Sequence, residues 1–279
     1  MILPLTQILR KFGTGPRPTL EAVDIECVRG NRVLFAGLSF RLRSGEIQQI
    51  EGANGVGKTS LLRIVCGLSL PESGEIRWNG ATIHRQRADY YQELAYIGHA
   101  HGIKLELSPL ENLRMSLALN PAPDKFDLEE TLERVGLLTS RNVQCRHLSA
   151  GQCRRVAIAR LFLTRAVLWV LDEPVSGIDR DGIAEIETLL EAHVAGGGML
   201  LLTSHQPLQF LVNAIKFHLE IAEFPTMTLD GADSRQFAIL AVALRTGMKL
   251  IDSVIDSNLP QDLPLAGLLN LDLLFSQRL

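Results

Sequence analysis

The feature that most constrains this chain is a glycine-rich segment that fits the pattern G-x-x-x-x-G-K-[ST] in full, Gly52-Ala53-Asn54-Gly55-Val56-Gly57-Lys58-Thr59. Glycines let backbone amides approach phosphate oxygens, and a helix that begins there adds a favourable dipole. A strand pattern, Glu46 to Ile50, precedes the segment, and Leu61, Leu62 and Val65 follow it at helical spacing. The sequence therefore predicts a strand, a phosphate-binding loop and a helix, in that order.

Two side chains of this loop have a direct chemical role. Lys58 can reach the β- and γ-phosphates of a nucleotide, and the hydroxyl of Thr59 can bind Mg²⁺. The alternative is a glycine turn with an incidental lysine, which the flanking strand and helix disfavour. The residues predicted to bind the nucleotide are Gly52, Ala53, Asn54, Gly55, Val56, Gly57, Lys58, Thr59 and Ser60.

An acidic pair ends the apolar run from Ala166 to Leu171, which is typical of a buried parallel strand. The carboxyl ends of such strands form the edge at which α/β proteins bind ligands. Asp172 can bind Mg²⁺ there, and Glu173 can orient or deprotonate an attacking water. The alternative is a solvated acidic turn before Pro174, which the upstream phosphate loop disfavours.

A second apolar run, Met199 to Thr203, predicts a neighbouring strand of the same type. His205 follows this run and should emerge at the same edge, where a neutral imidazole can contact a γ-phosphate or the water. A lone histidine is more often an ordinary surface or core residue, so the position alone is weak support.

Other patterns define the fold class and exclude several functions. Strands alternate with helices, which indicates an α/β protein with a parallel sheet, and residues 33–43 alternate apolar with polar as in a half-solvated antiparallel strand. Capping signatures at Asp127 and Ser149 predict two helix starts. The net charge of −3 argues against a nucleic-acid binder that relies on bulk positive charge. The longest apolar run, Phe237 to Leu244, is too short to cross a bilayer and favours a packed helix.

The cysteines are scattered and form no CxxC pair, which favours reduced thiols. They are Cys27, Cys66, Cys145 and Cys153.

Taken in order, these motifs resemble those of ABC transporter ATPase subunits over about residues 20–210. The segment Leu148-Ser149-Ala150-Gly151-Gln152 is similar to the family's signature sequence, with alanine in place of one glycine. Ser176-Gly177-Ile178-Asp179 resembles the D-loop, and His205 matches the switch histidine. The resemblance implies the P-loop NTPase fold of ABC ATPases: a mainly parallel core sheet, an antiparallel β subdomain, and an α-helical subdomain inserted at about residues 86–160.

The resemblance also implies a mechanism in which two copies bind ATP and Mg²⁺ between them. The signature residues of one copy would contact ATP held by the phosphate loop of the other, and hydrolysis would release the ATP-dependent homodimer. Catalysis is expected from Lys58, Glu173 and His205, and Mg²⁺ binding from Thr59 and Asp172. The residues expected to act in trans are Ser149, Gly151 and Gln152.

Two positions depart from the family pattern. His99 stands where the family has a glutamine, and it is a candidate to sense Mg²⁺ or water; the alternative is a heme or metal role together with His101. Arg29 stands where the family has an aromatic residue against adenine, and a guanidinium can also stack on a base. Arg154 and Arg155, beside the signature, are expected to be helix surface charges rather than arginine fingers.

Shorter matches resemble one group within this family, the heme exporter ATPases of c-type cytochrome biogenesis. The group implies integral membrane partner subunits, no nucleic acid, and a peripheral location on the cytoplasmic face of the inner membrane. The transported species stays open, since release of a heme-loaded chaperone is an alternative to heme transport. The matches include Glu26-Cys27-Val28-Arg29-Gly30, Gly98-His99, Glu111-Asn112-Leu113, Leu168-Trp169 and Ser204-His205-Gln206.

Three other functions remain open beside this one. They are the ATPase of another exporter, a soluble ABC-type ATPase acting on ribosomes or DNA, and a non-hydrolysing binding module. Members of the heme exporter group begin near residue 19 and end soon after the switch histidine. We therefore expect a poorly ordered N-terminal extension over residues 1–18, an ABC ATPase domain over residues 19–225, and a C-terminal extension of unknown role over residues 226–279.

Overall fold

The computed structural model describes residues 17–30, 32–119, 127–205, 208 and 215–219. The strands in these ranges are β1 (Thr19–Arg29), β2 (Arg32–Arg43), β3 (Ile47–Glu51), β4 (Ser73–Trp78), β5 (Ala81–Thr82), β6 (Leu94–Ile97), β7 (Leu168–Asp172), β8 (Met199–Thr203) and β9 (Ile215–His218). The α-helices are α1 (Lys58–Val65), α2 (Arg87–Gln92), α3 (Pro109–Leu119), α4 (Leu128–Arg134), α5 (Ala150–Ala159) and α6 (Arg180–Ala195).

A parallel sheet with the strand order β6-β7-β8-β3-β9 carries the functional edge of the fold. Every residue of β7 and β8 is buried, as expected of continuous apolar runs in a sheet covered on both faces. Because the strands are parallel, the carboxyl ends of β3, β7 and β8 lie side by side. The phosphate loop, the acidic pair and His205 therefore begin at one edge, as the sequence predicts.

A second, antiparallel sheet has the strand order β2-β1-β4-β5. Leu20 on β1 pairs with Leu42 on β2, and both side chains are buried. Arg41 and Arg43 alternate with Leu42 and are exposed, which confirms the half-solvated strand predicted from the period of two.

Both predicted helix caps are present. Asp127 accepts hydrogen bonds from the amides of Glu129 and Glu130 at the start of α4. Ser149 and Gln152 form a reciprocal capping box at the start of α5. Helices α3, α4 and α5 share one apolar core, to which Leu113, Leu132 and Val156 contribute.

The range 86–160, expected to be an inserted helical subdomain, contains α2 to α5 and also β6, which pairs with β7 and belongs to the parallel sheet. None of the helices in the described ranges is both long and apolar enough to span a membrane. All four cysteines are buried and free, in agreement with the predicted thiols. The run from Phe237 to Leu244 and residues 226–279 lie outside the described residues, as do residues 1–16.

Candidate functional site

The phosphate loop between β3 and α1 adopts a backbone that requires glycine. Gly52, Gly55 and Gly57 have φ values of 141°, 78° and 113°, which L side chains rarely adopt. A Cβ atom at Gly52 would lie 2.5 Å from the carbonyl oxygen of Leu219, and one at Gly57 would lie 3.0 Å from the ring of Phe35. The loop therefore has both the conformation and the close packing that explain its glycines.

The start of α1 is suited to bind an anion. Gly57 is its N-cap, and no side chain of the described residues caps the helix, so its first amides are available to a ligand. Lys58 is 9% exposed, and its Nζ donates hydrogen bonds to the carbonyl oxygens of Gly52 at 2.7 Å and Ala53 at 3.1 Å. A buried ammonium held only by neutral carbonyls is poised to bind a stronger partner such as a phosphate oxygen.

The two residues predicted to bind Mg²⁺ are in direct contact. Thr59 Oγ1 donates a 2.8 Å hydrogen bond to Oδ2 of Asp172, which is 2% exposed. A carboxylate and a hydroxyl beside an anion site are the oxygen ligands that Mg²⁺ prefers. The residues present therefore fit Mg²⁺ bound together with a nucleotide.

Thr203 is a functional candidate that no sequence motif indicates. Its Oγ1 donates to Oδ1 of Asp172 at 2.8 Å and accepts from the amide of Glu173 at 3.0 Å. One hydroxyl thus orients both members of the acidic pair. The only sequence signal was the position of Thr203 as the last residue of an apolar run.

Glu173 and His205 form a pair at the same edge. The amide of His205 donates to Glu173 Oε2 at 3.2 Å, and the imidazole Nε2 lies 3.5 Å from Oε1. Oε1 is buried and accepts no hydrogen bond from the described residues. The carboxylate therefore keeps unused acceptor capacity, and because Glu173 lines the cleft it can take a proton from a water there.

One cleft of about 500 Å³ has Lys58, Thr59, Asp172, Glu173 and His205 among its lining residues. His99 also lines it, whereas Arg29 is exposed at the end of β1 and does not. The side chain of Val56 is buried in the core, which leaves that residue only its backbone to offer a ligand. The lining residues are Leu34, Asn54, Gly55, Gly57, Lys58, Thr59, Ser60, His99, Asp172, Glu173, Ser176 and His205.

The signature residues lie outside the lining of this cleft. Ser149 and Gln152 are taken up in the capping box of α5. A Cβ atom at Gly151 would overlap the carbonyl oxygen of Gly177, so this glycine is needed for close packing against the D-loop segment. Contact of the signature residues with a nucleotide in the cleft of a second copy stays a prediction.

The prediction that Arg154 is a surface charge is wrong. Its side chain is 2% exposed and donates to backbone carbonyls at the edge of the cleft, including that of Gly98 at 2.7 Å. The position of Arg154 in the helical repeat of α5 directs its side chain inward, towards the ends of β6 and β7. Arg155, the next residue, pairs with the side chain of Asp179.

The parallel sheet, the glycine loop and the Asp172–Glu173 edge together define an ATP-binding cassette. The model of the ABC transporter family matches residues 35–176, about half of the chain. A cytochrome c biogenesis ATP-binding export protein CcmA from Methylococcus capsulatus is 52% identical over 190 residues, which cover 68% of this chain and 92% of that relative. The corresponding protein of Nitrosospira multiformis is 43% identical over 200 residues, which cover 71% of this chain and 97% of that relative.

Solved structures support the same class. A putative ABC transporter ATP-binding protein from Pyrococcus furiosus is 25% identical, with a TM-score of 0.62 over 72% of this chain and 97% of that one. An ATP-binding cassette in a post-hydrolysis dimer with ADP and Pi is 19% identical, with a TM-score of 0.64, and supports the fold alone. The chain belongs to the ABC transporter family and, within it, to the cytochrome c biogenesis ATP-binding export proteins.

Proposed function

We propose that this chain is the ATP-hydrolysing subunit of an ABC complex that exports or delivers heme for c-type cytochrome biogenesis. The observation that carries the proposal is the convergence of three pairs in one cleft. The loop amides lie beside Lys58, Thr59 contacts Asp172, and Glu173 contacts His205. The family to which the chain belongs supplies the biological process, and the cleft supplies the chemistry.

ATP binding follows from the geometry of the loop. The free amides at the start of α1 and the Lys58 ammonium would hold the β- and γ-phosphates. Thr59 and Asp172 would hold Mg²⁺, which when bound supplies charge neutralisation at the phosphates. Thr203 keeps the Asp172 carboxylate oriented for this task.

Hydrolysis needs an aligned water and a proton acceptor. The Glu173 carboxylate takes a proton from the water as the oxygen of that water forms a bond to the γ-phosphorus. The bond from that phosphorus to the β–γ bridging oxygen breaks, and the products are ADP and phosphate. The backbone amide of His205 holds the Glu173 carboxylate at Oε2, and its imidazole can contact the γ-phosphate.

The complete site is proposed to form between two copies within the domain over residues 19–225. Ser149, Gly151 and Gln152 of one copy would contact ATP held by the loop of the other. This assignment is supported by the exposure of Ser149 at the start of α5 and by the absence of these residues from the lining of the cleft of their own copy. The structural neighbour bound to ADP and Pi is itself described as a dimer.

The partners are proposed to be integral membrane subunits of the exporter, with this chain at the cytoplasmic face of the inner membrane. The support is family membership, since relatives at 43% identity and above are named as export proteins.

His99, on the cleft wall, is proposed to sense Mg²⁺ or water, and Arg29 is proposed to stack on adenine.

Substitution of Glu173 by glutamine tests the catalytic assignment. Glu173→Gln removes the proton acceptor but keeps the shape of the site, so we expect ATPase activity to fall about 1,000-fold while ATP binding is retained. The variant should accumulate as an ATP-bound dimer, measured by size-exclusion chromatography. Lys58→Ala should lose ATP binding as well, whereas Glu72→Gln, at an exposed glutamate outside the cleft, should behave as the wild type. Full turnover by Glu173→Gln would contradict the mechanism.

A cellular experiment tests the process. Cells that lack this chain should lose the heme stain of membrane c-type cytochromes, and the wild-type gene but not Lys58→Ala should restore it. An unchanged stain in a strain whose purified protein hydrolyses ATP would favour a different exporter.

A further inference from the structure

One buried arginine of α5, which we call the signature helix because Ser149 of the signature sequence caps it, connects two segments of the cleft edge. Arg154 lies on α5, in the second turn after the Ser149 cap. Its guanidinium donates hydrogen bonds to four backbone carbonyl oxygens through Nε, Nη1 and Nη2. The acceptors are Pro174 at 3.2 Å, Gly98 at 2.7 Å, Glu173 at 2.8 Å, and Asp172.

The burial of this charge indicates a specific role. The Arg154 side chain is almost fully buried, and burial lowers its pKa, an effect that the negative charges of Asp172 and Glu173 oppose. An uncompensated buried charge is costly, so it is found where its geometry is needed. The planar fork of a guanidinium can reach several carbonyls at fixed angles, whereas the ammonium of lysine cannot.

The backbone of Glu173, which Arg154 contacts, is strained. Glu173 has φ = 53°, which a residue with a side chain adopts at a cost and keeps only when its surroundings enforce it. Arg154 donates to the carbonyl of Asp172, which precedes Glu173, and to the carbonyl of Glu173 itself. These two bonds, with the Thr203 contact to the Glu173 amide, hold both peptide planes that flank the strained residue.

The hydrogen bond to the carbonyl of Gly98 connects Arg154 to a second segment of the cleft wall. Gly98 directly precedes His99, which lines the cleft wall. Arg154 therefore ties the His99 segment and the Glu173 segment to one helix, the same helix whose first turn carries Ser149 and Gly151.

We propose that Arg154 is a positioning residue that sets the backbone of Glu173, and with it the direction of the Glu173 carboxylate, relative to the signature helix and the His99 segment. The inference rests on the proposed ATPase function. Arg154 does not itself line the cleft, and the four hydrogen bonds of its guanidinium reach no residue of the phosphate loop, so it acts on the cleft only through the backbone that it holds. Its loss should therefore lower turnover and leave ATP affinity unchanged.

The test uses the chain in complex with its membrane subunits. Arg154→Gln keeps a polar side chain but removes the four-way contact, and we expect kcat to fall about 100-fold, the cost of misplacing a reacting group by roughly 1 Å. KM for ATP should stay within about twofold, since the loop is untouched. Arg154→Lys, which keeps the charge without the fork, should recover only a small part of kcat.

Arg160→Lys is the matched control. Arg160 also donates to backbone carbonyls, those of His101 and Gly102, but neither of these lines the cleft. We expect this variant to lose thermal stability to a similar extent as Arg154→Lys and to keep its kcat. If Arg154 had a merely structural role, both lysine variants would lose thermal stability and both would keep their kcat.

A second measurement protects the test against misfolding. In the Glu173→Gln background, addition of Arg154→Lys should leave the ATP-trapped dimer intact, because binding does not depend on Arg154. Unchanged kcat in both Arg154 variants, or loss of the trapped dimer, would overturn the inference. Wild-type complex without ATPase activity would instead overturn the proposed function, so the two failures are distinguishable.

Discussion

Two histidines at opposite ends of β8 show how differently the two ends of one strand are used. His205 follows the carboxyl end, its side chain is 50% exposed, and its Nε2 lies 3.5 Å from Glu173 Oε1. His193, on α6 before the amino end, is buried and stacks on Trp169 with ring centroids 3.6 Å apart. Its Nε2 lies 3.1 Å from the carbonyl oxygen of Val167.

The difference separates a site of chemistry from a site of stability. Around His205 the protein leaves acceptor capacity unused, since Glu173 Oε1 has no hydrogen-bond donor among the described residues. Around His193 the protein itself supplies the contacts, since Trp169 stacks on a face of the ring and the carbonyl oxygen of Val167 lies beside Nε2. Burial lowers the pKa of His193 to about 4, so the ring is neutral at physiological pH. Changes at the carboxyl end should therefore act on the rate, and changes at the amino end on folding.

The largest expected effect is on turnover, at the carboxyl end. His205→Ala removes the imidazole beside the Glu173 carboxylate, and we expect kcat to fall about 1,000-fold with little change in melting temperature. His193→Phe, which keeps a flat ring against Trp169, should leave kcat unchanged. ATPase assays and thermal denaturation of both variants check the comparison. It would be wrong if His193→Phe slowed hydrolysis as much as His205→Ala.

Local sequence patterns predicted much of the carboxyl edge of the parallel sheet, because the loop, the strands and the helix caps depend on interactions between neighbouring residues. The phosphate loop, the runs that became β7 and β8, and both helix caps depend on residues a few positions apart. Parallel strands then bring their carboxyl ends together without further information. Lys58, Thr59, Asp172, Glu173 and His205 were found in this way.

The residues that were missed depend on contacts between distant segments. Thr203 contacts Asp172 because β7 and β8 pair with these two residues opposite each other, a register that the sequence does not display. Arg154 is buried because the ends of β6 and β7 present carbonyl groups to α5, and its charge alone favoured a surface position.

The next effect is on stability, at the amino end, and depends on pH. In the unfolded chain an imidazole titrates near its usual value of 6.5, whereas the pKa of folded His193 is about 4. Between these values only the unfolded chain takes up the proton. The contribution of His193 to the free energy of unfolding is therefore complete above the unfolded pKa and is lost as the pH falls towards 4. The full loss is about 3 kcal/mol.

Chemical denaturation at about pH 7 and about pH 5 measures this contribution. Wild-type protein should lose about 2 kcal/mol more than His193→Phe between the two conditions. His205→Ala, at the solvent-exposed end, should keep the wild-type difference. Equal losses in wild type and His193→Phe would show that the buried ring does not control the acid response.

The smallest effect is expected at Gly198, which packs against one face of the His193 ring. A Cβ atom there would overlap the imidazole, and Trp169 blocks the opposite face of the ring. Gly198→Ala should therefore destabilise the fold by about 1–2 kcal/mol through overpacking, without a change in kcat. The same substitution in a His193→Ala background should cost much less, because the ring that it overlaps is gone. An equal cost in both backgrounds would place the strain in the backbone of Gly198 and not in its contact with the histidine.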